Sequence, residues 1–487
     1  MLKNYINGEW VASTGSATID VVNPATGKII GEVPAGTKAD IVRAVEAAKA
    51  IAKQWRDTPA EQRIQYLFRM KRILDENADE IAAICTGECG KTYGESKAEV
   101  IRAVENVEVA CGIPTMMQSQ FSEDISAGID EFMIRQPLGV CACIAPFNFP
   151  IMIPFWFMPY AIACGNTYIV KPSEKVPMSM TRIFELFEDV GLPKGVLNLV
   201  HGCKETVDAI LDNPDIKAVS FVGSTSVAKY VYQRGSANGK RVQAQGGAKN
   251  PVIIMPDADI DTTVKIITDS VFGCAGQRCL AASLIIMVGE AYELFRDKLV
   301  EAARNRKTGY GMDDDVAMGP VITRESKERI EFLIETGIAD GAKLLLDGRN
   351  AKVEGFEDGF FVLPTVLDDV KPDNAIFSTE IFGPVMSMLH VNTLDEAIQL
   401  VNAGHYGNSA CIFTHSGSAA RRFRHDAVAG NIGVNIGVVA PMAFFPFSGW
   451  KDSFFGDLHA QSHHAVEFYT QTKVVIERWH DEWTRKF

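Results

Sequence analysis

One cysteine stands in a setting that favours chemistry. Cys279 occurs in "GCAGQRCLAAS", residues 273 to 283, directly after Arg278 and before a run of small residues. The thiolate is the nucleophilic form of cysteine, and both a neighbouring guanidinium and the amide dipoles of a helix-linked loop favour it. The alternative is a buried structural thiol, because free cysteine is among the most buried residue types.

The remaining cysteines form no recognisable framework. The ten cysteines include no CxxC pair and no Cys/His cluster at zinc spacing, so we expect no metal site and reduced thiols. The first residues, "MLKNYINGEWVAS", lack the apolar segment of a secretory signal. The most apolar stretch, residues 149 to 164, is interrupted by three prolines and is too short to span a bilayer. These features predict a cytoplasmic protein.

The composition is that of an ordinary globular protein. The chain has 487 residues, of which 47% are hydrophobic and 22% charged, and this length allows two or three domains. The net charge of -13 has the wrong sign for a phosphate backbone or an acidic membrane surface. We therefore expect a small-molecule substrate, with neither nucleic acid nor membrane as a partner.

Short apolar runs alternate with helical segments from about residue 140. Strands are predicted at "VCACIAPFN", "NTYIVKPS", "VLNLVHG" and "KAVSFVGS", and helices at "MSMTRIFELFEDVGLP" and "TSVAKYVYQRG". This pattern predicts an α/β fold with a parallel, doubly wound sheet whose ligands lie beyond the carboxyl ends of its strands. A second α/β block starts near "NPVIIMPDAD". Nearer the start of the chain, apolar periodicity predicts helices in "ADIVRAVEAAKAIAKQW" and "AEQRIQYLFRMKRILDENADEIAAICTGECG".

Two other segments alternate weakly, as strands do. They are "EDISAGIDEFMIRQPLG" and the near-terminal "AVEFYTQTKVVIERW". Exposed strand edges often pair between subunits. We therefore expect a homodimer or a homotetramer.

Five motifs together resemble the aldehyde dehydrogenase superfamily over nearly the whole chain. They are "PFNFP" at 146–150, "KPSE" at 171–174, "FVGST" at 221–225, "GQRC" at 276–279 and "EIFGP" at 380–384. The resemblance implies a Rossmann-type parallel-sheet cofactor domain, an α/β catalytic domain and a small β oligomerisation arm. The implied boundaries are 1–117 and 140–245 for the NAD-binding domain, 246–440 for the catalytic domain, 118–139 and 464–487 for the arm, and 441–463 for a segment returning to the cofactor domain.

The resemblance also implies roles for single residues. Cys279 matches the nucleophile, and Asn148 matches the side-chain donor that binds the oxyanion together with the amide of Cys279. Lys171 and Glu174 match residues that hold the adenosine ribose, and the glutamate favours NAD over NADP because it repels a 2′-phosphate. The other positions implied at the cofactor are Phe147, Gly223, Ser224, Glu380 and Phe382.

Gln245 occupies a position that decides the acyl acceptor. Hydrolytic members of the superfamily carry a water-activating glutamate in "ELGGK", where this chain has "QGGAK" at 245–249. A neutral amide cannot accept a proton at pH 7, and losing a general base costs about 10²–10⁴ in rate. A thiol needs no such base. The substitution and the stretches around it resemble the CoA-acylating methylmalonate-semialdehyde (malonate-semialdehyde) dehydrogenases, which implies coenzyme A as a co-substrate.

The substrate of that subfamily carries a carboxylate, which requires a cation when buried. Arg278 adjoins the nucleophile, and Arg102 matches a second carboxylate-binding position. The implied reaction is NAD-dependent oxidation with decarboxylation to propionyl-CoA or acetyl-CoA through a Cys279 thioacyl intermediate. One alternative is a hydrolytic NAD(P)-dependent dehydrogenase of another short carboxylated semialdehyde. Another is a catalytically silent scaffold protein with the same fold.

Overall fold

The computed structural model describes residues 1–479. Helices are numbered along the chain: α1 (Lys38–Asp57), α2 (Ala60–Glu76), α3 (Ala78–Cys89), α4 (Tyr93–Ala110), α5 (Ile113–Met116), α6 (Met152–Phe155), α7 (Met158–Ala163), α8 (Met178–Phe187), α9 (Lys204–Asp212), α10 (Thr225–Ala237), α11 (Ile260–Phe272), α12 (Ala291–Arg304), α13 (Arg324–Ala339), α14 (Ala375–Ser378), α15 (Leu394–Ala403), α16 (Gly417–Asp426) and α17 (Ser462–Tyr469).

The strands are numbered in the same way: β1 (Asn4–Ile6), β2 (Glu9–Val11), β3 (Thr18–Val22), β4 (Ile29–Pro34), β5 (Phe121–Ser126), β6 (Ile129–Pro137), β7 (Val140–Ile144), β8 (Thr167–Lys171), β9 (Leu197–Leu199), β10 (Ile216–Val222), β11 (Arg241–Gln245), β12 (Asn250–Ile254), β13 (Ala282–Val288), β14 (Lys343–Leu346), β15 (Thr365–Asp368), β16 (Val385–Val391), β17 (Tyr406–Gly407), β18 (Ser409–Phe413), β19 (Asn431–Val434), β20 (Trp450–Lys451), β21 (Phe454–Phe455) and β22 (Thr470–Arg478).

The first large sheet has eight strands in the order β2-β1-β9-β8-β7-β10-β11-β21. Its central strands, β9 to β11 in that order, are parallel, and antiparallel strands close both edges. The strand order reverses beside β7, as in a doubly wound sheet. The predicted parallel sheet is therefore confirmed.

Two of the cysteines, Cys141 and Cys143, have a structural role in the central strand β7. Val140, Ala142 and Ile144 point to one face of the sheet and pack in the core formed with α1, α9 and α10. Cys141 and Cys143 point to the other face and pack in the core formed with α2, α3, α4 and α7. A parallel strand covered on both faces is apolar at every position, and cysteine behaves there as a small hydrophobe.

The second large sheet has seven strands in the order β14-β15-β16-β13-β12-β18-β19. All neighbours are parallel except β14 with β15. Its own apolar core is built from both faces of these strands with α11, α12, α13 and α15. The second α/β block predicted from "NPVIIMPDAD" onward is confirmed.

The third sheet joins distant parts of the chain in the order β22-β6-β5. The strands β5 and β6 fall where the sequence predicted them, but the near-terminal prediction was partly wrong. Residues 462–469 form α17, and only Thr470–Arg478 form a strand. The reason is tertiary packing, because Val466, Phe468 and Tyr469 are buried against the first sheet's core. Residues 480–487 of the predicted arm lie outside the described residues.

None of the helices within residues 1–479 combines the length and the apolarity needed to cross a membrane. The apolar stretch 149–164 instead forms the two short helices α6 and α7, which are buried in the core beside the first sheet.

Candidate active site

The strand registers align the predicted cofactor residues along one edge of the first sheet. Lys171 ends β8 and pairs with Ile144 of β7, which in turn pairs with Phe221 of β10. Val222 pairs with Gln245, the last residue of β11. The loops that follow these strands therefore meet at the carboxyl edge, which is the ligand-binding edge of such a sheet.

The second sheet contributes residues that lie at the amino ends of its strands. Cys279 lies three residues before β13, and Glu380 and Phe382 lie just before β16. The rings of Phe147 and Phe382 meet across this junction with centroids 5.9 Å apart. The site thus forms where the carboxyl edge of one parallel sheet faces the amino ends of strands from the other.

Two asparagines hold the backbone at the candidate nucleophile. Asn250 Nδ2 and Asn408 Nδ2 donate to the carbonyl oxygen of Cys279 at 2.9 and 2.8 Å. The chain arrives from α11 through Cys274 and Ala275, which both have left-handed backbone angles, φ 50° and 53°. Non-glycine residues adopt this conformation only where the surroundings enforce it. Neither asparagine was predicted, because their partners are main-chain atoms distant in sequence.

Burial dominates the acidity of the thiol. It raises the pKa of Cys279 to about 12, and the negative charge of Glu380 acts in the same direction. The amides of Cys279 and Leu280 and the charge of Arg278 oppose this rise but do not cancel it. In the free protein Cys279 is therefore a thiol at neutral pH. Arg278 and the loop amides lower the pKa of the thiol, as predicted. Their effect is smaller than the rise that burial causes.

Asn148 lies beside the cysteine segment. Its Nδ2 donates to the carbonyl oxygen of Gln277 at 2.9 Å, and its side chain is buried. The second hydrogen of Nδ2 has no acceptor among residues 1–479. An amide held in this way is a preorganised donor for charge that develops near Cys279.

A buried ion pair that the sequence analysis missed fixes the Asn148 loop. Lys91 Nζ donates to the Glu99 carboxylate and, at 2.7 Å, to the carbonyl oxygen of Asn148. Glu99 Oε1 accepts from the amides of Ile151 and Met152 at 2.8 and 3.0 Å. The available signal was a lysine and a glutamate among apolar neighbours in "CGKTYGESKAEVIRAV".

A cavity of about 360 Å³ opens at Cys279. Its wall is mainly aromatic and aliphatic, with a few charged and amide groups. The apolar lining residues are Phe149, Met152, Trp156, Leu280, Val438 and Phe447. Arg102 and Arg278 both line the same cavity, so the structure brings the two predicted carboxylate-binding residues together with Cys279.

Each cavity arginine already has an acidic partner. Arg278 Nη2 donates to Glu95 Oε1 at 3.1 Å, and its Nε donates to the sulfur of Cys274 at 3.2 Å. Arg102 Nη1 donates to Glu105 Oε2 at 2.6 Å. The Arg102 Nη2 atom also donates to the carbonyls of residues 440 and 441, at 3.1 and 3.2 Å. A carboxylate entering the cavity must share these guanidinium groups with glutamates.

The predicted adenosine residues pair with each other. Lys171 Nζ is buried and donates to Glu174 Oε2 at 3.0 Å. Burial alone would raise the pKa of Glu174, but the Lys171 charge holds it below its ordinary value. The carboxylate is therefore ionised at neutral pH, and the other Lys171 hydrogens have no acceptor within residues 1–479. The pair can hold vicinal hydroxyls of a ribose.

The amino end of α10 has the features of a phosphate site. Ser224 is its N-cap residue, but the serine side chain does not cap the helix. The helix has 13 residues and begins three residues after the end of β10, at the same sheet edge as Lys171. Gly223 adjoins the Phe221 ring so closely that a Cβ would collide with it. This arrangement fits a nucleotide diphosphate.

Glu380 is held by the glycine-rich segment after β11. Its Oε1 accepts from the Ala248 amide at 2.9 Å, and a Cβ at Gly247 would collide with its carboxylate. Burial raises the pKa of Glu380 to about 7. The second glycine of "QGGAK", Gly247, is thus explained by the close approach of a carboxylate.

Gln245 does not line the cavity at Cys279. Its Nε2 donates to the Phe447 carbonyl oxygen at 3.4 Å, and its Oε1 is buried with no partner among the described residues. The side chain is therefore bound to the backbone of Phe447, a residue of the cavity wall. Within the described residues no group of histidine, cysteine, aspartate and glutamate has the arrangement of a metal site.

Comparisons with known proteins agree with this geometry. The aldehyde dehydrogenase family model matches residues 10–475, and the chain belongs to this family. The malonate-semialdehyde dehydrogenase of Halalkalibacterium halodurans is 49% identical over 478 residues, 98% of each protein. The methylmalonate-semialdehyde dehydrogenase of Oceanimonas doudoroffii superimposes with a TM-score of 0.97 at 43% identity, over 99% of this chain and 98% of that one.

A further solved structure contains the dinucleotide. A Sinorhizobium meliloti protein assigned as a methylmalonate-semialdehyde dehydrogenase was solved in complex with NAD. It has a TM-score of 0.97 and 44% identity to this chain, and the match covers 99% of this chain and 98% of that one.

Proposed function

We propose that this protein is an NAD-dependent, CoA-acylating dehydrogenase of malonate semialdehyde, methylmalonate semialdehyde or both. The products are acetyl-CoA or propionyl-CoA, CO₂ and NADH. The observation that carries the proposal is that Cys279 shares one apolar cavity with two arginines. The names of the relatives in H. halodurans and O. doudoroffii support the same substrate class.

The first steps use the cavity residues. Arg102 and Arg278 bind the substrate carboxylate and direct the aldehyde carbon toward Cys279. The sulfur attacks that carbon, and because the pKa of Cys279 is about 12 in the free protein, the thiol proton passes to water during the attack. Asn148 Nδ2 and the Cys279 amide donate to the resulting oxyanion.

Residues at the sheet edge hold the dinucleotide. Lys171 and Glu174 bind the adenosine ribose, and Gly223 with Ser224 presents the α10 amides to the pyrophosphate. Phe147, Phe382 and Glu380 contact the nicotinamide end. The chemistry that bound NAD would supply is acceptance of the hydride from the thiohemiacetal carbon, which would leave a thioester on Cys279.

The thioester then loses CO₂ and its acyl group. The carbon–carboxylate bond breaks with the thioester carbonyl as electron sink, and the resulting enolate takes a proton from water. The CoA thiol gives its proton to water and attacks the thioester carbonyl. The bond from that carbon to the Cys279 sulfur then breaks, acyl-CoA leaves, and the sulfur takes up a proton. Gln245 supports a thiol acceptor because its neutral amide, which donates to the Phe447 carbonyl, cannot take a proton from water.

The domain assignment and the assembly are part of the proposal. The first sheet forms the NAD-binding domain, which β21 of the return segment joins, and the second sheet forms the catalytic domain. The sheet β22-β6-β5 and the residue that follows it expose large apolar side chains, which supports pairing of identical chains as a dimer or tetramer. These are Phe121, Ile125, Ile134, Val474 and Ile476 in the sheet and Trp479 directly after β22. All ten cysteines are unpaired, which supports a reducing, cytoplasmic environment.

The decisive experiment measures NADH formation from malonate semialdehyde with and without CoA. Steady turnover that requires CoA and yields acetyl-CoA supports the proposal. Formation of free acid at the same rate without CoA identifies a hydrolytic enzyme, and NAD binding with no turnover identifies a silent scaffold. Cys279→Ala is the blank, and Cys111→Ala, a half-buried cysteine outside the cavity, is the matched control.

A further inference from the structure

Gln461 is a cavity residue to which neither the motifs nor the mechanism above assigns a role. It lines the same cavity as Cys279, and its side chain is buried. We propose that Gln461 is a specificity-determining residue whose amide donates a hydrogen bond to the carboxylate of the substrate. The inference rests on the proposed function, since it concerns how the same cavity selects a carboxylated aldehyde.

The backbone at this position is unusual for a residue other than glycine. Gln461 has φ 71° and ψ 167°, and Ser462 follows with φ 56°. The surroundings hold this conformation, because Ser462 Oγ donates to the Phe444 carbonyl at 2.7 Å and the Ala465 amide donates to the Gln461 carbonyl at 3.1 Å. Conformations of this kind persist mainly where they present a side chain for function.

The amide of Gln461 is oriented by two protein contacts. The amide is assigned the orientation that satisfies both neighbours, in which Oε1 accepts from Trp156 Nε1 at 2.8 Å and Nε2 donates to the Phe445 carbonyl at 3.3 Å. An amide nitrogen carries two hydrogens, and the second has no acceptor among residues 1–479. Trp156 also lines the cavity, so the contact that orients the amide is itself part of the cavity wall.

A neutral hydrogen-bond donor can help to bind a carboxylate here because both cavity arginines are already paired with glutamates. Arg102 is paired with Glu105 and Arg278 with Glu95, and all four residues line the cavity. An entering carboxylate meets each guanidinium together with a competing negative charge. A carboxylate has about four acceptor positions, so it can bind a guanidinium and still accept from a third group. Gln461 supplies such a hydrogen without adding a negative charge.

The test compares one carboxylated and one uncharged aldehyde of the same chain length. We would measure kcat/KM for malonate semialdehyde and for propanal, with saturating NAD and CoA, in the full-length protein. Gln461→Met keeps the length of the side chain but removes the donor. We expect kcat/KM for malonate semialdehyde to fall about tenfold or more, the range for a hydrogen bond to a charged group, with propanal changed by less than about twofold.

Two further variants separate recognition from folding. Gln461→Glu keeps the shape and adds a negative charge, so the selectivity for malonate semialdehyde over propanal is expected to fall further than in Gln461→Met. Gln243→Met alters a buried glutamine of β11 that bonds to Ser220 outside the cavity, and this control is expected to keep the wild-type selectivity.

The outcomes are distinguishable. Equal losses for both aldehydes, or no loss for malonate semialdehyde, would overturn the inference while leaving the proposed function intact. If the wild-type protein oxidises propanal but not malonate semialdehyde, the proposed function fails, and the inference fails with it.

Discussion

Lys91 and Glu99 form an ion pair inside the protein that holds the Asn148 loop at two points. Their side chains are 2% and 0% exposed. The lysine binds the carbonyl of Asn148, and the glutamate binds two amides at the start of α6. The position of the candidate oxyanion donor, Asn148, therefore depends on two buried charges.

Lys91→Met is expected to destabilise the protein by about 3–5 kcal/mol. The substitution leaves the Glu99 carboxylate buried without its partner, which is the most costly way to break a buried ion pair. Urea unfolding measures the loss. The double variant Lys91→Met with Glu99→Gln is expected to lose less than the single variant, because no charge remains unpaired. Lys53→Met, which removes the exposed Lys53–Asp57 pair, is the control and should leave the unfolding midpoint nearly unchanged.

Asn148→Ala is expected to lower kcat by about 10²–10³, the effect of removing one oxyanion donor. The affinity for NAD, measured by fluorescence titration, is expected to stay the same, because the side chain bonds to Gln277 rather than to the sheet edge. Asn305→Ala, at the surface end of α12, serves as the control. An unchanged kcat in Asn148→Ala would exclude this residue as an oxyanion donor.

Alkylation of Cys279 by iodoacetamide in the free protein is expected to accelerate about tenfold per pH unit between pH 7 and 10. Burial raises the pKa of the thiol to about 12, so the reactive thiolate is a small fraction that grows with pH over this whole range. Glu380→Gln removes a negative charge that also raises this pKa, and the rate at any one pH should increase severalfold. Cys279→Ala gives the background from the other cysteines, and a plateau near pH 8 would contradict the prediction.

The free energy of unfolding is expected to fall as the pH is lowered from about 6.5 toward 3, partly because of His201. Burial, with the charge of Lys171, lowers the pKa of His201 to about 3. The unfolded chain takes up a proton at the ordinary pKa near 6.5 while the folded protein does not, which costs about 1.4 kcal/mol per pH unit in this window. The pH dependence should be shallower in His201→Leu, whereas His425→Leu, at an exposed position, should match the wild type.

Much of the fold followed from local patterns. The strands β7, β8, β9 and β10 and the helices α8 and α10 fall where the sequence predicted them, because each buries apolar residues with the period of its own geometry. The prediction failed at residues 465–469, where weak alternation indicated a strand but the chain belongs to α17. Tyr469 hydrogen-bonds to Ser220 and Tyr168 inside the core, and this long-range packing selects a helix.

The candidate site was also predicted only in part from the sequence. The motifs predicted Cys279, Asn148, Lys171 and Glu380 because a given chemical role restricts the residue type that can fill it. They did not identify Lys91, Glu99 or Gln461, because these residues act through main-chain atoms or through a wall formed by distant segments.

By itself, the sequence determined the family, and it predicted Cys279 as the nucleophile and Gln245 at the position of a water-activating glutamate. Only the tertiary structure decided that Cys279 is a protonated thiol, that both cavity arginines are paired with glutamates, and that the Gln245 amide is bound to the Phe447 carbonyl. The physical reason is that residue type sets which reactions a side chain can perform. The protonation state, the hydrogen-bond partners and the orientation of a side chain depend on burial and on charged groups from distant parts of the chain.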